Sequence, residues 1–128
     1  MEYGGLILGG EETAGPRRFY EIRQRMWRAA GVADPNMGRR LRGLFTQAGF
    51  SRVEAFADYL SYGTPDRVKP FARDRAAECR GHELPTLAIR HGITSAEEMA
   101  ELAARWEEWA EDPGAFFAFA WCRVLAWA

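Results

Sequence analysis

Cys and His, the residue types that most often bind transition metals, lie closest together at Cys79 and His82. A zinc site needs three or four such ligands, and the sequence has no second cluster at metal-binding spacing. His91 follows on the same stretch but would face the opposite way on a continuous helix. We therefore predict no metal site, with His82 in a loop and His91 at a helix end near the last carbonyl groups.

Nucleophilic and phosphate-binding chemistry also lacks a recognisable pattern. No set of Ser, His and Asp carries the local signature of a catalytic triad. The pairs Gly4-Gly5 and Gly9-Gly10 flank a short apolar run, but their spacing matches neither the dinucleotide fingerprint nor the Walker loop, and no Lys-Ser or Lys-Thr follows. Residue patterns alone therefore predict neither a triad nor a nucleotide-binding loop.

Aromatic and arginine side chains are the remaining candidates for binding. Five aromatic residues could line a pocket, although such residues are also typical of a core or its margin: Tyr3, Tyr20, Trp27, Tyr59 and Tyr62. By default we expect three neighbouring arginines to face solvent: Arg39, Arg40 and Arg42. The acids between Glu97 and Asp112 are interpreted as a solvated helix face.

Length, charge and cysteine content narrow the class of protein. The chain has 128 residues and a formal net charge of −1, which predicts one domain and gives no reason to expect a nucleic-acid or membrane partner. Cys79 and Cys122 both lie in apolar patterns and are interpreted as buried, reduced thiols. The amino-terminal residues do not read as a signal peptide, so a cytoplasmic location is the default expectation.

The run Ala115 to Trp127 is the strongest structural signal. Large and small residues alternate along it with period two, which predicts a strand with one bulky face and one small face. A helix is the alternative, because the run is long enough for three turns. Since both faces are apolar, we expect the strand to lie inside a sheet covered on both sides.

Residues 1–63 are predicted to form a strand, two helices and a second strand. The first strand is centred on Leu6 to Leu8, and a helix runs from Pro16 to Gly31. A second amphipathic helix starts near Leu41 and closes at Gly49, so that Phe50 can fold back on its last turn. Arg52 to Tyr62 alternates imperfectly, which is typical of an edge strand.

Residues 64–112 are predicted to be a helical insertion, and residues 113–128 the final strand. Thr64-Pro65-Asp66 has the character of a helix start, with Thr64 as the capping hydroxyl and Pro70 kinking the helix or delaying its regular part. A short helix ends at Gly92. Thr94 to Glu98 forms a capping-box start, followed by one apolar helical stripe: Met99, Leu102, Ala103, Trp106 and Trp109.

One segment and one strand end carry a family resemblance. Gly38-Arg39-Arg40-Leu41, with Leu44-Phe45 and Ala48-Gly49-Phe50, is similar to a segment written G-R-x-L-x-x-L-x-x-x-A-G-F, and Glu111-Asp112-Pro113 leads into an aromatic strand as in a closing hairpin. In this order, they resemble the carboxy-terminal half of class I S-adenosylmethionine-dependent methyltransferases of the ubiquinone/menaquinone-biosynthesis type. The resemblance covers essentially the whole chain.

The resemblance implies an α/β, partial Rossmann-like fold. The family's doubly wound sheet has the strand order 3-2-1-4-5-7-6, and this chain would supply a three-stranded mixed sheet of strands 5, 7 and 6, with covering helices. Strand 7 would run antiparallel between the other two. Met1 to Gly5 would correspond to the end of strand 5 in relatives.

The resemblance also implies a function, methyl transfer from S-adenosylmethionine to a small-molecule substrate. The family's cofactor-binding loop and acidic strand end belong to a first half that this sequence does not contain. We therefore expect the chain alone to bind no cofactor and to be inactive by itself. In the intact family this half covers the substrate side, which suggests the following substrate contacts: Tyr3, Trp27, Asn36, Arg39 and Tyr59.

The resemblance also suggests two kinds of protein partner. An amino-terminal half chain, or a homodimer through the exposed edge of the first strand, would cover the surface left by the missing strands. Whether the chain is truncated, split from a partner chain or begun at an internal methionine stays open. The alternative function is a non-catalytic module that binds a small ligand or a protein.

Overall fold

A computed structural model describes residues 2–31 and 33–128. Met1, which the resemblance placed with the first strand, lies outside them. Over the described residues the chain forms three strands, five α-helices and one short 3-10 helix, in this order: β1 Glu2–Gly9, α1 Ala14–Ala30, the 3-10 helix Gly38–Arg40, α2 Leu41–Gln47, β2 Arg52–Tyr62, α3 Pro65–Arg80, α4 Glu83–Arg90, α5 Ala96–Glu111 and β3 Phe116–Trp127.

The three strands form one sheet with the order β1-β3-β2. The prediction that the closing aromatic run is a strand lying between the two earlier ones is confirmed. The sheet is antiparallel rather than mixed, and its order is not the seven-stranded order of the doubly wound fold. The α/β class is thus established, while the Rossmann-like relationship stays a prediction.

Side-chain neighbours fix the register of β3 against both partners. A Cβ built on Gly5 would lie 3.2 Å from the Cβ of Ala120, which sets β1 against β3. At the other edge, the Ser51 amide donates to the Trp127 carbonyl at 3.0 Å. Because β3 pairs on both sides, β1 and β2 are the edge strands, as predicted for β2.

The chain divides into two compact units. The strand unit comprises Met1–Ile7, Pro35–Ser61 and Ala118–Ala128, and the helical unit comprises Leu8–Asp34 and Tyr62–Phe117. The predicted partition at residues 63/64 and 112/113 follows sequence order, whereas these units interleave along the chain.

Aromatic rings form the core of the helical unit. Trp106 of α5 is fully buried and meets the rings of Phe19, Tyr20 and Phe71 edge-on. Phe117, at the start of β3, stacks on Tyr20 with 5.1 Å between ring centroids. The predicted apolar stripe of α5 is buried along its whole length, because α1, α3 and α5 pack around these rings.

Helix starts in the helical unit differ in how they are capped. Ser95 accepts a hydrogen bond from the Glu98 amide at 3.1 Å, as the capping box predicts. Thr64 does not cap α3 with its side chain, so that prediction was wrong. The Thr64 hydroxyl bonds instead to the carboxyl of Asp66 and lowers the pKa of that carboxyl. From this start, α3 continues through Pro70 to Arg80.

The segment before β2 departs from the amphipathic helix that we predicted. A 3-10 turn at Gly38–Arg40 precedes α2, and every side chain of α2 is at least partly exposed. Phe50 does fold back as expected, with its ring centroid 5.4 Å from that of Phe45. Phe45 of this short helix therefore packs against Phe50 just beyond its end, while Leu44 stays exposed.

β3 is buried along only part of its length. Phe117 to Ala120 are buried, whereas Trp121, Leu125 and Trp127 are exposed. The prediction of a strand covered on both faces is therefore correct for the first half of β3 and wrong for the second half. Large and small residues alternate equally in the two halves, so alternation alone did not distinguish them.

Candidate functional site

A polar cluster lies in the strand unit where the start of β1 meets the loop before α2. The Tyr3 amide donates to the Pro35 carbonyl at 3.1 Å, and the Gly4 amide donates to Asn36 Oδ1 at 3.0 Å. These two bonds tie the loop to the strand. They place the 3-10 turn, and with it Arg39, beside the first residue of β1.

Glu2 is the centre of this cluster and is only 6 % exposed. Its Oε1 accepts from Arg39 Nη2 at 2.8 Å and from Arg39 Nε at 3.2 Å, and its Oε2 accepts from the Arg39 amide at 3.0 Å. The Gly4 amide also donates to Oε1, at 3.1 Å. A buried carboxylate with this many donors is well compensated.

The protonation state of Glu2 follows from these contacts. Burial by itself would raise the pKa of the Glu2 carboxyl, but hydrogen bonds from the Arg39 guanidinium and from the Arg39 and Gly4 amides outweigh it and lower that pKa. Glu2 is therefore ionised at neutral pH. A carboxylate so held does not serve as a general base, since its ideal pKa for that role lies near the operating pH.

Two glycines permit the close approach of the loop and the strand. A Cβ at Gly4 would lie 2.0 Å from Arg39 Nη2, and a Cβ at Gly38 would lie 2.6 Å from Cys122 Sγ. Any larger residue would push the guanidinium away from Glu2 or lift the turn off β3. Gly38 in the family-like segment is thus a packing requirement of this cluster.

Tyr59 lies across the sheet near the same strand. Its hydroxyl would be 3.2 Å from a Cβ at Gly5, at the level of Ala120. The small residues Gly5 and Ala120 leave room for the phenol to cross two strands. Tyr59 remains an exposed residue, so part of it is accessible to a ligand.

Arg39 also borders a shallow groove of about 250 Å³. The groove is lined by Arg39, Arg40, Gly43, Leu44 and Gln47. The Arg39 side chain is 60 % exposed although its guanidinium is paired with Glu2. Because the lining contains two arginines and no acid, the groove favours an anionic or polar ligand group.

The five suggested substrate contacts thus have different positions. Asn36 and Arg39 meet at the cluster, and Tyr59 lies over β1 in the same unit. Tyr3 is buried and so acts in packing rather than as an open contact surface. Trp27 is part of the helical unit, where the Arg23 guanidinium lies 4.7 Å from its ring centroid.

Sequence reasoning missed Glu2, the residue that organises the cluster. The available signal was an acid at the head of an apolar, glycine-rich strand, since a buried carboxylate requires a cation or several donors. Arg39, which forms the ion pair with Glu2, was predicted as a substrate contact and, by default, as a solvent-facing side chain. In the structure the Arg39 side chain is paired with Glu2 and is also largely exposed.

The helical unit contains two further charged groups. A cavity of about 340 Å³ is bordered by acids: Glu11, Glu12, Glu108, Glu111 and Asp112. Asp112 accepts from the Glu11 and Gly114 amides, and both bonds lower the pKa of its carboxyl. Elsewhere, Arg23 and Arg75 share one oxygen of Glu78 at 3.4 and 3.5 Å, linking α1 to α3.

The two thiols are both free. Cys79 is buried, and burial, with a smaller contribution from Glu78, raises the pKa of its thiol to about 12. Cys122 is half-buried rather than buried as predicted. Since the thiolate is the reactive form, Cys79 is a packing residue rather than a nucleophile.

Within residues 2–31 and 33–128, the described parts of the chain, no group of three or more His, Cys, Asp or Glu side chains is placed to hold a metal ion. No helix in those same ranges has the length and apolar character needed to span a membrane.

Comparison with models of known protein families and with curated protein sequences found no match.

Proposed function

We propose that this chain is the substrate-side portion of an S-adenosylmethionine-dependent methyltransferase that acts on a small molecule. The observation that carries the proposal is the position of β3, which lies between β1 and β2 and runs antiparallel to both. A closing strand inserted in this way is what the family resemblance implies.

The family-like segment supports the same proposal from its contacts. Gly38 packs against Cys122 of β3, and the next residue, Arg39, pairs with Glu2 at the head of β1. The segment that carries the resemblance therefore touches both strands that would correspond to the family's strands 5 and 7. The sequence resemblance of this segment and its contacts with β1 and β3 therefore support the same proposal.

The connection between β1 and α1 offers little to hold the methyl donor. The glycine-rich connection between β1 and α1 is the element most like a cofactor loop, but its Glu11 amide is bonded to Asp112 and the Ala14 amide to Glu12. The surrounding acids would also repel the carboxylate of an amino-acid-like ligand. We therefore assign no cofactor residue in this chain.

The cluster can bind and orient a substrate. Arg39, held by Glu2, presents a fixed cation beside the groove, and Asn36 and Tyr59 add an amide and a hydroxyl in the same unit. Methyl transfer is an in-line displacement that depends mainly on alignment of donor and nucleophile. In this proposal the chain aligns a substrate carrying an anionic or polar group, and other protein segments hold the donor.

Isothermal titration and a labelled-methyl assay test the proposal. The isolated chain should neither bind S-adenosylmethionine nor transfer its methyl group, whereas mixing it with a chain encoded upstream that folds as a glycine-rich strand-loop-helix should restore transfer. Arg39→Ala should then weaken substrate binding, with Arg42→Ala as the matched control on the neighbouring surface. Donor binding by the isolated chain, or an upstream region without such a segment, would refute the half-enzyme.

A second candidate is a non-catalytic module that binds small anions. It is favoured by the pairing of Glu2, which leaves the groove with an ordered cation but no carboxylate poised as a base. Inorganic phosphate and acetate, titrated separately, would then bind and be lost on Arg39→Ala. Saturable binding of these anions, with no methyl transfer in the reconstituted mixture, would replace the first proposal by this one.

A further inference from the structure

The strand unit exposes several large apolar side chains on one side of its sheet. Alternation along each strand places these side chains on a common side, and each is between 38 % and 53 % exposed. We call it the aromatic face: Phe56 and Leu60 of β2, and Trp121, Leu125 and Trp127 of β3.

Polar contacts confirm that the two strands contribute to the same side. Arg123 of β3 forms an ion pair with Asp58 of β2. Each of the two lies two residues from members of the aromatic face on its own strand, and therefore on the same side of the sheet. At the end of the face, the Arg52 guanidinium lies 4.7 Å from the Trp127 ring centroid. The aromatic face is therefore a set of apolar side chains with a charged pair at its centre and a guanidinium over one end.

The opposite side of the sheet is different. There β3 presents Cys122, which Gly38 contacts closely, along with the small residues Val124 and Ala126. All three are partly buried. A sheet normally buries an apolar face against another layer, whereas the large residues of the aromatic face are exposed.

The size of the aromatic face is that of an interaction surface. Large apolar side chains bury roughly 150–250 Å² when enclosed, so five of them at these exposures leave on the order of 500 Å² uncovered. The largest apolar patch on a typical monomer is about 300–600 Å² and is often functional. With its polar rim, the face approaches the roughly 800 Å² that each partner contributes to a stable complex.

Charge decides which partner fits. Asp58 and Arg123 are both exposed and lie side by side at the centre of the face, and Arg52 pairs with Glu54 at its rim. The face therefore has no net excess of either charge, which disfavours a nucleic acid or a strongly acidic or basic peptide. Because its acids and bases are equal in number, the patch can oppose acid to base when it faces a copy of itself across a two-fold axis.

We infer that the aromatic face binds the same face of a second copy of this chain. In the resulting two-fold dimer Arg123 of each copy lies against Asp58 of the other, and Trp121 and Leu125 interdigitate around this pair. The inference does not depend on the proposed methyl transfer. It differs from dimerisation through the edge of β1, because it uses a side of the sheet and leaves that edge unpaired.

Sedimentation velocity over a wide range of concentration tests the interface. The chain should shift from monomer to dimer, and Leu125→Glu should raise the dissociation constant by about 30-fold, the effect of a central interface residue. Ile89→Glu is the matched control, because Ile89 is a similarly exposed aliphatic residue on α4 in the helical unit. It should leave the dimer intact.

A charge-exchange experiment tests the two-fold pairing itself. Arg123→Asp and Asp58→Arg should each weaken self-association about tenfold or more, since like charges would face each other across the axis. An equimolar mixture of the two variants should regain the dimer, because every pair across the interface is then opposite in sign. Circular dichroism of each variant shows that the fold is retained.

Three results would overturn the inference. The first is a monomer at every concentration, which would leave the face for a different protein. The second is a dimer that Leu125→Glu does not affect. The third is a mixture of the two charge variants that associates no better than either variant alone.

Discussion

Two tryptophan side chains are buried in the helical unit, whereas two in the strand unit are exposed. Trp106 and Trp109 of the helical unit are 0 % and 2 % exposed, whereas Trp121 and Trp127 of the strand unit are 47 % and 42 % exposed. Helices α1, α3 and α5 enclose the first pair from several directions. In the strand unit the turn at Gly38 packs against Cys122 on one side of β3, whereas the large residues of the aromatic face are exposed.

The units also differ in how charges are used. In the helical unit, pairs such as Arg18 with Glu98 link neighbouring helices at partly exposed positions, where an ion pair contributes little stability. In the strand unit, Glu2 is buried and holds Arg39 beside an open groove. We therefore expect stability to depend mainly on the helical unit, whereas both proposed binding surfaces lie in the strand unit.

The largest expected effect separates the two kinds of tryptophan. Trp106→Ala should lower the free energy of unfolding by about 3–5 kcal/mol, because it opens a cavity among fully enclosed rings. Trp121→Ala should change it by about 1 kcal/mol or less at concentrations where the chain is monomeric. Urea unfolding followed by far-ultraviolet circular dichroism measures both, and equal losses would abolish the contrast between the units.

Removing the charge of Glu2 should have the next largest effect. Glu2→Gln keeps the shape but leaves the Arg39 guanidinium without its carboxylate, and we expect a loss of about 1–3 kcal/mol. Glu54→Gln, at an exposed pair on β2, is the matched control and should cost less than about 1 kcal/mol. If both substitutions lower the free energy of unfolding equally, the buried Glu2–Arg39 pair contributes no more to stability than an exposed ion pair.

The pH dependence of stability sharpens the same point. The pKa of Glu2 in the folded protein lies below its ordinary value of 4.5, so its contribution is fully present above that value and is lost as the pH falls through the folded pKa. Wild type should therefore lose more stability than Glu2→Gln between neutral pH and the acid range. Parallel stability curves for the two proteins would contradict this assignment.

Close packing at Gly38 gives an effect of similar size. Gly38→Ala should cost about 1–3 kcal/mol, because its Cβ would collide with Cys122 Sγ, and Cys122→Ala in the same chain should recover part of this. Gly43→Ala in α2 has nothing within 4 Å of the new Cβ and should stabilise by about 0.4–1 kcal/mol. Thermal unfolding of the three variants gives the comparison.

The smallest expected effect compares two helix starts within the helical unit. Ser95→Ala should cost about 1 kcal/mol, because the Ser95 side chain caps α5. Thr64→Ala should cost less, because the Thr64 side chain does not cap α3. The reverse order in urea unfolding would show that the hydroxyl of Thr64 matters through Asp66 instead.

Local patterns were enough to predict the elements of the helical unit. The stripe from Met99 to Trp109 repeats at helical spacing and is preceded by Ser95, so burial and capping could both be predicted. The strand character and central place of β3 were also predicted correctly. Each of these features depends on interactions between residues close in sequence or on the polarity of a whole strand.

The strand unit was harder to predict because its decisive contacts are distant in sequence. Trp121 and Phe117 occupy equivalent places in the alternation of β3, and only the presence or absence of a neighbouring layer makes one exposed and the other buried. Glu2 gave no local sign of its partner, since Arg39 lies in another element. The candidate site was therefore predicted in part, through Asn36, Arg39 and Tyr59, without the carboxylate that orders it.

The central place of β3 has a consequence for synthesis on the ribosome. Over the described residues, β1 and β2 pair only with β3, which is translated after them, so neither strand has this partner until Phe116–Trp127 has left the exit tunnel. Such late, long-range pairing slows folding and leaves strands open to wrong pairing meanwhile. Nascent chains arrested before Phe116 should accordingly be held by chaperones and cut readily by proteases.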